Sequence, residues 1–254
     1  MTSDGPVPRS PVSPTASPLD RPQIMSQRWE DLTFVHWRVD PTLVAPLLPR
    51  GTAPDLFDGA TYVGLVPFRL ADAGVARGPA VPWLGTFAET NVRLYSVDAT
   101  GRRGVVFRSL DASRLAVVVA ARVGFALPYT WSRMRIERTA STITYTSARR
   151  VPGPRGAGGR IVVEPGARID QPDPLAQFLT ARWGLHTRHL GRLLFVPNEH
   201  EPWPLHHARL VHLDDSLVAA AGFPGLVDRA PDSVLWSPGV RTVFGMPQGA
   251  ARDA

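Results

Sequence analysis

Glu89, Asn91, Arg93 and Tyr95 recur at every second residue, so on a β-strand a carboxylate, an amide, a guanidinium and a phenol would share one face. Facing inward, such a set suits a polar pocket: the carboxylate can move a proton and the guanidinium can hold an acid. Facing outward, it is a solvated face with a cross-strand ion pair, and the intervening Val92 and Leu94 line the core. Periodicity by itself favours the outward arrangement.

Other residues present a similar choice. Arg108 and Asp111 flank a strand end, where they could grip a ligand carboxylate; Asp111 reads better as a cap for the helix that follows. Arg122 comes just after the apolar run Leu115–Ala121, so it either lines a cavity or sits on the solvent side of a helix. His36, beside Trp37, fits a hydrogen-bonded core histidine better than a base, and is kept as a candidate ligand contact. Seven histidines invite a metal reading, with His200, His206 and His207 near Glu199 and Glu201. No HExxH or comparable spacing occurs, and adjacent His206 and His207 would point opposite ways on a strand, so neither a metal nor a cofactor is expected. Ser109-Leu110-Asp111 is not a nucleophile elbow, and the glycines from Gly153 to Gly159 lack the lysine of a phosphate-binding loop.

The elements that must position these residues are mostly strands. Phe87–Val97 and Gly104–Leu110 form a hairpin through Asp98-Ala99-Thr100-Gly101. Leu32–Val39, Thr61–Phe68, Met134–Thr139, Thr142–Arg149, Ile161–Glu164, Leu185–His189, Leu193–Pro197 and Val240–Met246 read as further strands. Helices are expected after Asp40-Pro41, over Ala112–Gly124 with Asp111 or Ser113 near the N-cap, and after Asp173-Pro174. Strands outnumber helices without βαβ alternation, which predicts an α+β protein built on an antiparallel sheet or barrel. The Pro- and Ser-rich residues 1–24 read as a disordered tail, 25–247 as a single domain with order beginning near Trp29, and 248–254 as a flexible C-terminus.

Composition narrows the function classes. A chain of 254 residues with 44% hydrophobic content supports one sizeable core. No run of eighteen apolar residues and no basic start followed by an apolar stretch occurs, so neither a membrane span nor a secretory signal is expected. Cysteine is absent, which excludes disulfides and thiol nucleophiles and fits a cytoplasmic protein. The net charge is +6 and every basic residue is arginine, but the arginines are scattered singly or in pairs, unlike the patch of a nucleic-acid binder.

Ordered along the chain stand Phe34-Val35-His36-Trp37 with Asp40-Pro41, Asp55-Leu56-Phe57-Asp58-Gly59 with Val66-Pro67-Phe68, Phe87 to Tyr95, Gly104 to Ala112, Leu179 to Trp183, and His200-Glu201-Pro202-Trp203. In this series the chain resembles the YqjF-like family of uncharacterised bacterial proteins, from Trp29 to about Gly245. That family is similar to the acetoacetate decarboxylase-like superfamily, which implies a closed, mainly antiparallel β-barrel with a few flanking helices and a central pocket. The run Arg122-Val123-Gly124-Phe125-Ala126-Leu127-Pro128-Tyr129 matches the decarboxylase segment that carries the Schiff-base lysine, and Tyr129 stands in the lysine's place. Glu89 corresponds to a pocket glutamate. The resemblance brings the inward and outward readings of the Glu89 strand level.

The chain contains no lysine at all, and a phenol cannot form an iminium, so Schiff-base decarboxylation is excluded. Three functions remain. The first is a protein binding a small oxo-acid or ring ligand, with Asn91, Arg93, Arg108 and His36 as contacts. The second is an enzyme using Glu89 as base, Tyr129 as hydrogen-bond donor and Arg122 as carboxylate anchor, in hydrolase or lyase chemistry. The third is a homo-oligomeric protein whose role is assembly.

Overall fold

The computed structural model describes residues 12–19 and 22–249. The strands are β1 Gln23–Val39, β2 Thr52–Pro54, β3 Thr61–Val75, β4 Phe87–Asp98, β5 Arg103–Ala112, β6 Tyr129–Arg138, β7 Ile143–Val151, β8 Gly158–Arg168, β9 Gly184–His189, β10 Arg192–His200, β11 His206–Asp215, β12 Ser233–Gly245 and β13 Gln248–Gly249. Four short α-helices accompany them: α1 Pro41–Val44, α2 Leu115–Phe125, α3 Pro174–Thr180 and α4 Leu217–Ala220. The protein is α+β and dominated by its sheet.

All these strands join one sheet, and its pairings run back on themselves twice. One circuit passes β5-β6-β7-β8-β11-β12-β1-β3-β4 and returns to β5. The other passes β5-β9-β10-β12-β1-β3-β4 and also returns to β5. The two circuits share the wall β12-β1-β3-β4-β5. Pairings are antiparallel except where β6 and β9 meet β5.

A wall with a chamber on each side buries both of its faces, and the sequence of the wall follows from that. Val35, Trp37, Val63, Leu65, Val92 and Leu94 point to one side and pack with Ile143, Ile161 and Val163. On the other side Phe34, Val66, Phe68 and Phe87 meet Leu235 and Leu205. The neighbours Leu94 and Tyr95 point to opposite faces of β4, and both have 0% exposure. An irregularity in β5 maintains this division. Val92 pairs with Ser109 but Arg93 pairs with Phe107, so Arg108 is the extra residue of a β-bulge. Because of it, Val105, Phe107 and Leu110 all face the same chamber despite their odd and even numbers.

The structure alters several expectations. The first strand begins at Gln23, ahead of the expected start of order near Trp29, and its first part pairs with both β12 and β3. Of the expected disordered tail, residues 1–11, 20 and 21 lie outside the described residues; within 12–19, the Trp183 indole donates to the Ser13 carbonyl (2.9 Å) and Glu199 accepts from the Leu19 amide (3.2 Å). Of the expected flexible C-terminus, Gln248 and Gly249 pair with β10, and 250–254 lie outside the described residues. Asp111 does not cap α2, whose N-cap is Arg114. It is buried in the larger circuit, where Arg149 (2.6 Å) and Ser132 (2.6 Å) donate to it. A carboxylate in a dry interior needs such partners more than a helix end on the surface needs a cap.

Asp173 does cap α3. Its side chain accepts from the Ala176 amide at 2.7 Å, and Pro174 occupies the first turn. This helix carries Phe178 and Leu179 into the core and leads directly to Arg182. Asp173→Ala is therefore expected to lower stability by about 1 kcal/mol. Urea unfolding would show this as a lower midpoint with an unchanged slope.

Candidate functional site

Within the smaller circuit lies a cavity of about 130 Å³. That is close to the ~150 Å³ apolar cavity known to hold a benzene molecule, so it suits a ligand of roughly that size. Its walls are mostly apolar, from Trp29, Leu32, Val66, Phe68, Phe107 and Phe244. Polar groups enter chiefly from three directions, with Gln27 of β1 and Thr187 of β9 beside them.

The first is β4. Glu89, Asn91 and Arg93 alternate along it and all line the cavity, so the face they share points inward. Tyr95 continues the row but is taken up by structure. Its hydroxyl donates to the Leu179 carbonyl (2.9 Å) and receives the Nε2 proton of His36 (2.6 Å). His36 and Arg93 converge over Gly64, where a Cβ would come within 2.7 Å of His36 Nε2 and 3.2 Å of Arg93 Cγ. A glycine is required there for the two side chains to cross the wall. Burial, followed by the nearby Arg93 and Arg182 charges, holds the His36 pKa well below its ordinary value, so the ring is neutral.

Glu89 has no cationic partner among the described residues. Tyr129 donates to its Oε2 at 3.0 Å, but burial dominates and raises the Glu89 pKa to about 8, with Asp111 adding to the effect. The carboxyl is therefore largely uncharged near neutral pH. Tyr129, raised well above its ordinary value by burial and then by Glu89, stays protonated. The pair can hand a proton to a bound molecule or accept one back.

The second direction is the end of α3 and the segment after it, which supply Thr180 and Arg182. Arg182 is fixed by Asp55 (2.5 Å from Nη1) and by the Phe178 carbonyl (2.7 Å from Nε), while its buried Nη2 has no protein partner. Arg93 donates through Nη2 to the Leu179 carbonyl (2.9 Å), and its buried Nε is likewise unpartnered. No carboxylate lies within ion-pair reach of Arg93 among the described residues. Two cations thus offer unanswered N–H donors to the cavity region, which is the arrangement an anion completes. The third direction is β10, which contributes Asn198 and His200.

Three expected contacts lie elsewhere. Arg122 is exposed on α2, and its guanidinium donates to the Tyr129 carbonyl (2.7 Å). It steadies the backbone that carries Tyr129 but does not reach the cavity as an anchor. The bulge turns Arg108 toward the other chamber, where it donates to the carbonyls of Ala221 (3.2 Å) and Leu47 (3.4 Å). His36 is sealed behind Tyr95. Arg182 is unassigned in the sequence reading and His200 is weighed there only as a metal ligand, although both lie in segments that carry the family resemblance. His200 could have been found by its two-residue spacing from Asn198 and Val196.

The sequence model of DUF2071, a family described as uncharacterized conserved protein, matches residues 26–241. The uncharacterized protein YqjF of Bacillus subtilis (strain 168) is 33% identical over 190 residues, which cover 73% of this chain and 76% of that protein. Among solved structures, an acetoacetate decarboxylase-like enzyme from Sphingomonas wittichii RW1 has a TM-score of 0.61 at 14% identity, covering 90% of this chain and 93% of its own. The enduracididine biosynthesis enzyme MppR, complexed with pyruvate, has a TM-score of 0.59 at 16% identity, covering 90% of each chain.

The state of Glu89 predicts a pH dependence of stability. A carboxyl whose pKa rises from 4.5 to about 8 on folding binds its proton more tightly in the native state, so its contribution is complete below pH 4.5 and is lost as pH climbs toward 8. Relative to Glu89→Gln, the native protein should lose stability at up to roughly 1.4 kcal/mol per pH unit across that window. Parallel denaturation curves for the two proteins at several pH values would test this, and a constant difference would contradict it.

Proposed function

The chain belongs to the DUF2071 family of uncharacterized conserved proteins, and from that premise we propose that its cavity binds a small organic carboxylate, an oxo-acid or ring acid. We read the two circuits of strands as closed barrels, with the smaller one as the binding chamber. The observation that carries the proposal is Arg93. It lines the cavity with its Nε buried and unpartnered and, among the described residues, with no acidic residue to neutralise it, and Arg182 adds a second unpartnered donor. The ligand carboxylate supplies what these groups lack. An uncharged Glu89 fits the same scheme, because a second carboxylate in so small a space would repel the ligand.

The pyruvate held by MppR, a protein of the same general fold, supports an oxo-acid as one ligand class. The chemistry here must differ from any that runs through a lysine amine, because this chain has none. A second reading is favoured by Glu89 itself. A carboxyl with a pKa of about 8 beside a phenol is tuned for proton transfer near neutral pH, so an acid–base enzyme on the same ligand is the alternative. In both readings the protein works in the cytoplasm on a free small molecule, without nucleic acid, membrane or cofactor.

A thermal-shift screen of oxo-acids, hydroxy-acids and aromatic acids, each beside its uncharged amide, tests the binding reading. A native-state ligand must raise the melting temperature. Acids should stabilise the protein and amides should not. Arg93→Gln should weaken acid binding by about 10- to 100-fold, the value of a charged hydrogen bond. Arg135→Gln, at an exposed position that does not line the cavity, should leave it unchanged. Amides binding as well as acids would defeat the proposal.

A further inference from the structure

The third polar direction carries information that the anion site does not. His200 is 8% exposed and lies at the end of β10, two residues from Asn198, on the face that lines the cavity. Its Nδ1 lies 2.6 Å from the Glu201 carbonyl oxygen. A carbonyl can only accept, so Nδ1 carries the proton and the neutral ring keeps a lone pair on Nε2. Among the described residues no group donates to that lone pair. The ring is held among three indoles, with centroids 4.5 Å from Trp183, 4.8 Å from Trp203 and 5.8 Å from Trp29. Trp203 is itself fixed by stacking on Trp29 (5.7 Å, 8° between planes) and by donating its indole N–H to the Thr180 carbonyl (3.1 Å). The imidazole is thus a rigid, oriented acceptor in an otherwise aromatic corner.

Building on the carboxylate reading above, we propose that His200 contacts the ligand: its Nε2 accepts a hydrogen bond from a hydroxyl or N–H group. The ligand is then a small carboxylic acid that also carries a hydrogen-bond donor away from its carboxylate. These two sets of lining groups ask for opposite things. Arg93 and Arg182 present donors and demand an acceptor, whereas His200 presents an acceptor and demands a donor. The Asn198 amide, whose Oδ1 is also buried without a partner, lines the cavity two residues away and can answer either kind of group. Burial holds the His200 pKa at about 4, so this corner keeps its character through the pH range in which Glu89 titrates.

Matched probes test the idea. Benzoate would be compared with its three monohydroxy isomers, and 2-oxobutanoate with 4-hydroxy-2-oxobutanoate, by calorimetry on the native protein. At least one hydroxylated member should bind about tenfold or more tightly than its parent, because an unmade hydrogen bond to a buried acceptor costs at least that much. The preference should be the same at pH 6 and pH 8. It should vanish in His200→Phe, which keeps a ring but no acceptor, and survive in part in His200→Gln, with parent acids binding all three proteins alike. Parent and hydroxylated acids binding the native protein equally would overturn this inference while leaving the carboxylate site standing, as would a preference that persists in His200→Phe. Failure of every acid to bind would remove the carboxylate reading and this inference with it.

Discussion

A sheet wall enclosed on both sides is the constraint on which the rest of the structure depends. Ordinary antiparallel strands hide one face and wet the other, which lets polar residues go to solvent. Over the buried stretches of β1, β3 and β4 that outlet is missing, so each polar side chain there must find a partner inside or face a space that can hold one. Tyr95 and His36 satisfy each other and a carbonyl. Asp111 has Arg149 and Ser132. Glu89 escapes the cost of a buried charge by keeping its proton. Arg93 is only partly satisfied: one nitrogen donates to the Leu179 carbonyl, its Nε has no partner, and no acid lies near it among the described residues. The candidate site is where this accounting fails to close within the chain.

The site is organised by groups that do not touch it. Asp55 is fully buried and accepts from both Arg182 (2.5 Å) and Arg103 (2.7 Å), which fixes the Arg182 fork while one nitrogen stays unpartnered. Ala126 ends α2 in a left-handed conformation (φ 52°), and Arg122 then grips the Tyr129 carbonyl, so the phenol starts β6 within reach of Glu89. These supports belong to segments far apart in the chain.

Much of the fold was legible in the sequence because its signals are local. The Asp98 side chain accepts from the amides of Thr100 and Arg102, so the hairpin turn is written in four residues. Asp173-Pro174 announces α3 for the same reason. The direction of the Glu89 face was not legible. Alternating polar and apolar residues mean a half-wet strand in most proteins, and nothing local in β4 reveals a second chamber. Arg122 follows an apolar run that looks like a buried helix, yet Leu115, Val119 and Val123 on that helix are all exposed. The pairing of Arg182 with Arg93, and of His200 with the tryptophans, arises from tertiary geometry that no spacing encodes.

The bulge at Arg108 sets a limit on how this protein can diverge. Substitutions in β5 alter one chamber at a time, because each side chain addresses a single face. If Arg108 were kept but β5 paired in strict alternation, everything from Ser109 to Ala112 would exchange chambers, sending Asp111 toward the cavity and Leu110 toward Arg149. Related chains are thus free to vary in β5 by replacement, or by losing the bulge residue itself, while any other single insertion or deletion must be confined to the loops at its ends.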